Sequence, residues 1–501
     1  MKNFSISVCY FHLNQTLAEP LDRVSPKADL IWENLIKLSE KLPFTELKDF
    51  KSKLACYELD EESNVFKHKT EALNLIDQWL TKEQKPIELA AIDQNGLAIS
   101  GKLQPFLLHD TYAFDLSLFP ENYDQDITPQ ELCLFEPSSL LLDCSENTLG
   151  ETIWFSGETE VGDTECQTVA DKLVTSFMEN TEFTARLVAQ GSLLNKVLLF
   201  EYEISQRNQP DRRYKILVWV NNRSIDLDSE IDQVYDYLFW SLGSRHKIEY
   251  VYQQAQESYS KARKAYSDIE AKIKEFKQDK PLEELQKLLE SMPELSMQYQ
   301  RQLRNLQSHY TTIKTNQLNY QNYLQKFWQP DDIPSWREFG EITCKRYLGQ
   351  IEIYLSYIQP GKDLIGEFIN TLRGLVEIEQ AKSDRQRQQT LQENEEKEKE
   401  RDRNLQNTIQ AVGTGIGVGV GFAGILAAGY PLIEKPWDFP SPQHPLLPPH
   451  PFIIAVVLSC LSGGGLGWLA WFSTKRYLNR KSSNQQTSLP SPQNQLPSGD
   501  G

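Results

Sequence analysis

The fold that the sequence predicts is an α/β (or α+β) cytosolic domain, then a long-helix bundle and stalk, then a two-helix C-terminal transmembrane hairpin. Three observations predict it. Strand-like and helix-like runs are interspersed up to about residue 229, helical periodicity fills most of 230–408, and two uncharged apolar stretches close the chain. The boundaries read from these patterns are 1–229 for the acidic domain and 230–408 for the bundle and stalk. Transmembrane helices are expected at 409–433 and 452–473, an external proline-rich loop at 434–451, and a disordered cytosolic tail at 474–501.

In the first domain, runs rich in β-branched and aromatic residues predict strands at Phe4–Phe11, Leu97–Leu103, Tyr112–Leu118, Thr152–Ser156, Ala185–Ala189, Lys196–Ile204 and Tyr214–Asn221. Helical spacing predicts helices at Lys27–Lys41, Phe44–Cys56, Lys69–Thr81 and Thr164–Glu179. A net charge of −18 is concentrated here. Residues 1–240 hold about 41 acidic against about 21 basic side chains, and Leu103–Asp171 contains no Lys or Arg. Such a surface repels nucleic acid, whose binding requires Lys and Arg to neutralise phosphates. Its carboxylates are the type that takes a divalent cation such as magnesium, although a solvated acidic surface explains them as well.

From Glu230 the chain turns helical. Ile231–Lys277 has no proline, and Leu282, Leu285, Leu288, Leu289, Met292 and Leu295 then form an apolar stripe after Pro281. Pro293 is expected to kink or interrupt that helix, and Pro360-Gly361 to make a turn. Leu303, Leu306, Tyr310 and Ile313 continue the three-four spacing, as do Ile365, Phe368, Leu372 and Leu375 further on. Past Gln380 the stripe disappears, and Glu393–Arg403 reads as a charged stalk.

The spans rest on length and absence of charge. No charged residue lies between Arg403 and Glu434 or between Asp438 and Lys475, and roughly 20 apolar helical residues cross a bilayer. Lys and Arg flank both outer ends, whereas the loop carries only Lys435. The positive-inside rule then places both termini in the cytoplasm, with a bacterial inner membrane as the expected location. The seven cysteines show no CxxC pairing or metal spacing and read as small thiols.

Gly419-Val420-Gly421-Phe422-Ala423-Gly424 fits GxGxxG but lacks the strand-then-helix context of a dinucleotide site. Gly413, Gly417 and Gly421, with Gly415 and Gly419, instead form small-xxx-small faces that pack against copies of this helix, which predicts a homo-oligomer, or against Ser462-Gly463-Gly464-Gly465 and Gly467 in a tight hairpin. His444 and His450 among the loop prolines are a weak metal signal, and no catalytic constellation is visible, so no enzyme is expected.

The order of parts resembles the CorA family of divalent-cation channels. Locally, Asp384-Arg385 and then Arg401-Asp402-Arg403-Asn404 leading into Thr408 are similar to the charged stalk where it enters that family's pore helix. The resemblance implies a homopentamer with the first span lining a pore, and Asn404, Asn407, Thr408 and Thr414 as polar pore candidates. Where that family carries Gly-Met-Asn this chain reads Gly429-Tyr430-Pro431, so magnesium selectivity does not carry over. The sequence thus predicts an oligomeric membrane channel of divergent selectivity, gated by cations on its acidic domain. The alternative is a membrane-anchored coiled-coil scaffold, sensor or effector that does not conduct.

Overall fold

The structure, a computed structural model, describes residues 1–17, 23–70, 78–194, 197–206, 209–222, 228–276, 280–327, 329, 332–428 and 451–486. They divide into two compact units, Met1–Gly374 and Leu375–Gly501. The strands are β1 (Lys2–Leu13), β2 (Tyr57–Asp60), β3 (Val65–His68), β4 (Gln78–Trp79), β5 (Ile87–Gln94), β6 (Leu97–Leu108), β7 (Thr111–Pro120), β8 (Thr148–Glu158), β9 (Phe183–Leu193), β10 (Val197–Gln206) and β11 (Gln209–Asn221). Among them lie helices α1 (Leu30–Lys41), α2 (Thr45–Lys48), α3 (Pro137–Leu140) and α4 (Asp163–Met178). Then come α5 (Asp228–Glu275), α6 (Leu282–Phe327), α7 (Pro334–Glu338), α8 (Cys344–Ala428) and α9 (Pro451–Gln486).

Strands β4-β6-β7-β1-β8-β11-β10-β9 form one sheet in that order, with β5 also on β6, while β2 and β3 make a separate pair. Every pairing is antiparallel except β8 with β11, where Ile153 stands opposite Ile216. All seven strands expected from β-branched runs lie on this sheet. Four were not legible. Tyr57–Asp60 is half acidic and Ile87–Gln94 reads Ile-Glu-Leu-Ala-Ala-Ile-Asp-Gln, a helix-forming composition that cross-strand pairing overrides. Of the helix expected at Lys69–Thr81, residues 71–77 lie outside the described residues, and Gln78–Trp79 pairs with β6 as a strand.

Alternation gives the sheet two different faces. Ile6, Val8 and Tyr10 of β1, Ile153 and Phe155 of β8, and Ile216 and Val218 of β11 share one apolar core with Trp32 of α1 and Phe177 of α4. The intervening residues face the N-terminal half of α5. There Phe11 meets Phe239, and Trp154 stacks on Tyr235. Gly243 makes this close approach possible, because a Cβ on it would lie 2.8 Å from the Phe11 ring.

Beyond the sheet, α5 continues into a three-helix bundle. α6 runs antiparallel to it, with Ser258 near His309 and Tyr266 near Tyr299. α8 runs parallel to it: Tyr252 stacks on Tyr347 at 3.8 Å and Tyr259 on Tyr354 at 4.0 Å, seven residues further along both helices. One more heptad on, Gly361 leaves room for the Tyr266 and Tyr299 side chains. Neither expected proline break occurs. α6 runs through Pro293 and α8 through Pro360. Packing on two neighbouring helices holds α8 continuous there, with the Tyr299 hydroxyl donating to the Ile358 carbonyl.

The transmembrane hairpin is overturned. Among the described residues no helix is long and apolar enough to cross a membrane. Within the described part of the expected spans Gly413, Gly415 and Gly417 contribute no apolar side chain and Gln410 and Thr414 are polar. Residues 429–433, and the side chains of 419, 421–428, 451–456, 458 and 459, lie outside the described residues. The predicted two-span localisation with both termini cytoplasmic loses its premise with it. The first stretch is instead the end of α8, an 85-residue helix that begins in the bundle. Gly429-Tyr430-Pro431, most of the proline-rich loop with His444 and His450, and the last fifteen residues of the tail lie outside the described residues.

Candidate functional site: an ionic junction between sheet and helices

Four charged side chains meet where β10, β11, α5 and α7 converge. Strand alternation puts Glu201 of β10 and Lys215 of β11 on the α5 face, while their neighbours Phe200, Tyr202 and Ile216 point into the apolar core. On α5, Arg245 and Glu249 are one turn apart and face the same way. Arg245 Nη2 lies 2.8 Å from Glu201 Oε1, and its Nε lies 3.6 Å from Glu249 Oε1. Lys215 Nζ reaches the same Glu249 oxygen at 2.8 Å. Trp336 Nε1 of α7 donates to Glu201 Oε2 at 2.9 Å, and the guanidinium carbon of Arg245 sits 5.0 Å from the Phe339 ring centroid.

This cluster is buried and its charges cancel. The Glu201 side chain is 1% exposed and that of Lys215 6%. Burial alone would raise the Glu249 carboxyl, but Lys215 and Arg245 outweigh it and hold it at about 2. Glu201 is likewise brought below its ordinary value by Arg245 and Lys215 against the opposing effect of burial. Burial works against the Arg245 charge too, and Glu201 and Glu249 more than offset it. Lys215 goes down, because burial and the neighbouring Arg245 outweigh its two carboxylate partners.

The helical side of the junction is built by backbone contacts. Tyr320 donates to the Trp336 carbonyl at 2.9 Å and Gln317 to the Gly340 carbonyl at 2.6 Å, fixing the π-helical turn Phe339–Thr343 that leads into α8. On the strand side, Ile333 N–H donates to the Ser192 carbonyl at 3.0 Å. Gly191 allows this approach, since its Cβ would fall 2.7 Å from the Ile333 Cα. A cleft of about 690 Å³ opens beside the Lys215–Glu249 pair, bordered by Arg186, Glu203 and the stacked Tyr252 and Tyr347. Through it solvent reaches Glu249, so the junction is held tightly yet remains open to solutes.

The residues singled out from sequence are not gathered here. Asn404, Thr408 and Thr414 are exposed on α8 and Asn407 is half-buried. The Thr408 and Thr414 hydroxyls donate back to the Asn404 and Gln410 carbonyls of their own helix. Of the glycines, Gly415 packs on α9, where its Cβ would lie 2.9 Å from the Gly467 carbonyl oxygen. Gly413 and Gly417 have no neighbour within 4 Å of that position, and the surroundings of Gly419 and Gly421 are outside the described residues. The acidic stretch does not form a metal-binding group: among the described residues no three His, Cys, Asp or Glu side chains cluster to hold an ion. Its carboxylates meet lysines from elsewhere in the chain, as Asp143 does Lys37, Glu146 Lys27 and Asp110 Lys247. Cys9, Cys56, Cys166 and Cys344 are buried thiols, Cys144 is half-buried, and Cys133 and Cys460 are exposed.

Sequence reasoning missed the junction because its strand and helix members lie far apart in the chain, 34 residues for Lys215 and Glu249. The available signal was the charge inside two largely apolar strand runs, Glu201 beside Glu203 in one and Lys215 in the other. Compared with known proteins, the chain matches no family model and no curated protein.

Proposed function

We propose that the chain is a non-catalytic sensor-scaffold that works as a homo-oligomer, with the sheet domain passing its state to the helical bundle through a shared helix. The observation that carries this reading is Arg245. From one position on α5 it binds a strand through Glu201, its own helix through Glu249, and the turn into α8 through Phe339. A displacement of β10 therefore moves α5 and the start of α8 together. The oligomer reading is supported by Tyr357, Leu364 and Ile378 on α8, which are exposed in the single chain at multiples of seven residues.

Hydrogen exchange on the full chain tests the coupling. Glu201→Gln is expected to raise exchange in β9–β11 and, together with it, in Gly340–Ile358 of the helical region. Exchange that rises in the strands alone would make sheet and bundle independent modules. Sedimentation of Leu364→Glu beside the unaltered chain tests the oligomer, with dissociation expected.

A further inference from the structure

A second cavity, of about 430 Å³, lies on another flank of α5, at the level of Trp240–Lys247, and the ionic junction takes no part in it. Its volume falls in the range of small-molecule sites, roughly 300–1,000 Å³. The β6–β7 turn, one face of α5 and one face of α6 form its walls, with β1 and β8 beneath. From α5 come Trp240, Ser244 and Lys247, one turn apart in succession. Phe11 and Leu149 form an apolar floor beneath Gly243.

The α6 wall is unusual for this chain. In a sequence with 24% charged residues, every α6 position on the cavity is an uncharged polar residue or tyrosine. The side chains of Thr312, Thr315 and Asn319 make no hydrogen bond among the described residues. Among the described residues the ion pair on the cavity, Lys247 with Asp110, is already closed, with Thr111 as a further acceptor for Lys247 at 3.3 Å.

We propose that this cavity binds a neutral, hydroxyl-rich ring the size of a mono- or disaccharide. Hydroxyl and amide side chains each donate and accept, so they match ligand hydroxyls, which do the same. The Asp110 carboxylate has lone pairs to spare beyond Lys247 and is the acceptor for a pair of adjacent hydroxyls. Trp240 offers an apolar ring to the C–H face of a sugar. An ionic ligand is disfavoured, because it would lose its hydration with no unpaired counter-charge to meet it. This inference is independent of the proposed sensor-scaffold role, since the cavity would bind its ligand in a monomer as well.

Saturation-transfer NMR and titration calorimetry on the full chain, with glucose, maltose and ribose as neutral probes and glucose 6-phosphate and glutamate as charged comparators, test the proposal. At least one neutral sugar is expected to bind saturably and the charged probes more weakly. Asn319→Leu should weaken binding about tenfold or more, Thr315→Val should weaken it with little change of shape, and Leu318→Ala, at an exposed position outside the cavity, should leave it unchanged. Thermal melting of each variant separates lost binding from lost folding. Absence of saturable binding by every neutral probe overturns the proposal. So does tighter binding of a charged probe, or unchanged binding in folded Asn319→Leu and Thr315→Val.

Discussion

The two faces of the central sheet are made from the same strands and held in opposite ways. Toward α1 and α4 the contacts are mainly apolar: Ile6, Val8, Phe114, Leu116, Ile153, Phe155, Val218 and their neighbours form one continuous core, and the buried Glu151 on this face accepts from the Leu142 N–H. Toward α5 the intervening residues bring Asp115, Thr152, Glu201 and Lys215 between aromatic contacts. Apolar burial is strong but nondirectional, so a helix on such a face can slide or rotate at modest cost. Buried charge is different, because any displacement leaves an ion unpaired at low dielectric. The first face supplies stability, and the second fixes where α5 lies along the sheet.

The sharpest way to break that contrast is to unpair the second face. Arg245→Met strands Glu201 in the interior and should cost on the order of 3–5 kcal/mol in urea unfolding. Replacing Glu201, Lys215, Arg245 and Glu249 together by apolar residues of similar volume should recover most of the loss. If instead the quadruple variant loses as much as Arg245→Met, the network is a source of net stability and the contrast fails.

Next in size is the response to pH, where the faces should titrate in opposite senses. Asp115, under α5 and hydrogen-bonded by Tyr235 and Ser117, is pushed up by burial to about 6. For an acid whose folded pKa is raised, the folded state holds the proton more tightly. Its contribution to stability therefore falls as pH rises from about 4 to about 6, by roughly 3 kcal/mol at most. His12, on the apolar side, is lowered by burial to about 4, with Nε2 donating to the Lys27 carbonyl at 2.9 Å. Its contribution is present above about 6.5 and is lost as pH falls toward 4. Unfolding followed across pH 4–7 should steepen toward acid in Asp115→Asn and flatten in His12→Gln.

A smaller effect sharpens the comparison at the edge of the sheet. Gly191→Ala forces a methyl against the Ile333 backbone and should cost about 1–3 kcal/mol, whereas Gly162→Ala, with open space at its Cβ position, should cost under about 1 kcal/mol, through its place as the N-cap of α4. The least effect is expected from Arg186→Ala. Its pair with Glu203 spans 3.2 Å on the same face as the junction but is solvent-exposed, so thermal unfolding should change by under about 0.5 kcal/mol. A larger loss would mean that the α5 face owes its strength to charge in general rather than to buried charge.

The parts of the fold that were legible in sequence are those where local pattern and tertiary role coincide. Val8, Tyr10, Phe155 and Val218 announce strands because β-branched and aromatic side chains both favour extended backbone and fill the core. Leu285, Met292, Leu303 and Leu306 announce a bundle helix for the same reason. Ile87–Gln94 was missed because its residues favour helix and only pairing with β6 makes it a strand. The C-terminal stretches were expected to span a membrane from their apolar content, length and lack of charge, and the glycines at 413, 415 and 417 weaken the first of these. Of the candidate site, only the oddity of Glu201 and Lys215 within apolar runs was visible.

By itself the sequence determined the mixed domain, the start of the helical region and the acidity of its first half, since these follow from composition and short-range periodicity. The tertiary structure alone decided that Glu201, Lys215, Arg245 and Glu249 neutralise one another, that α5 and α8 run parallel with their tyrosines stacked, and that α8 passes Pro360 without a break. Each of these joins residues far apart in the chain, and the energy of a charge or a proline depends on neighbours that only folding brings to it.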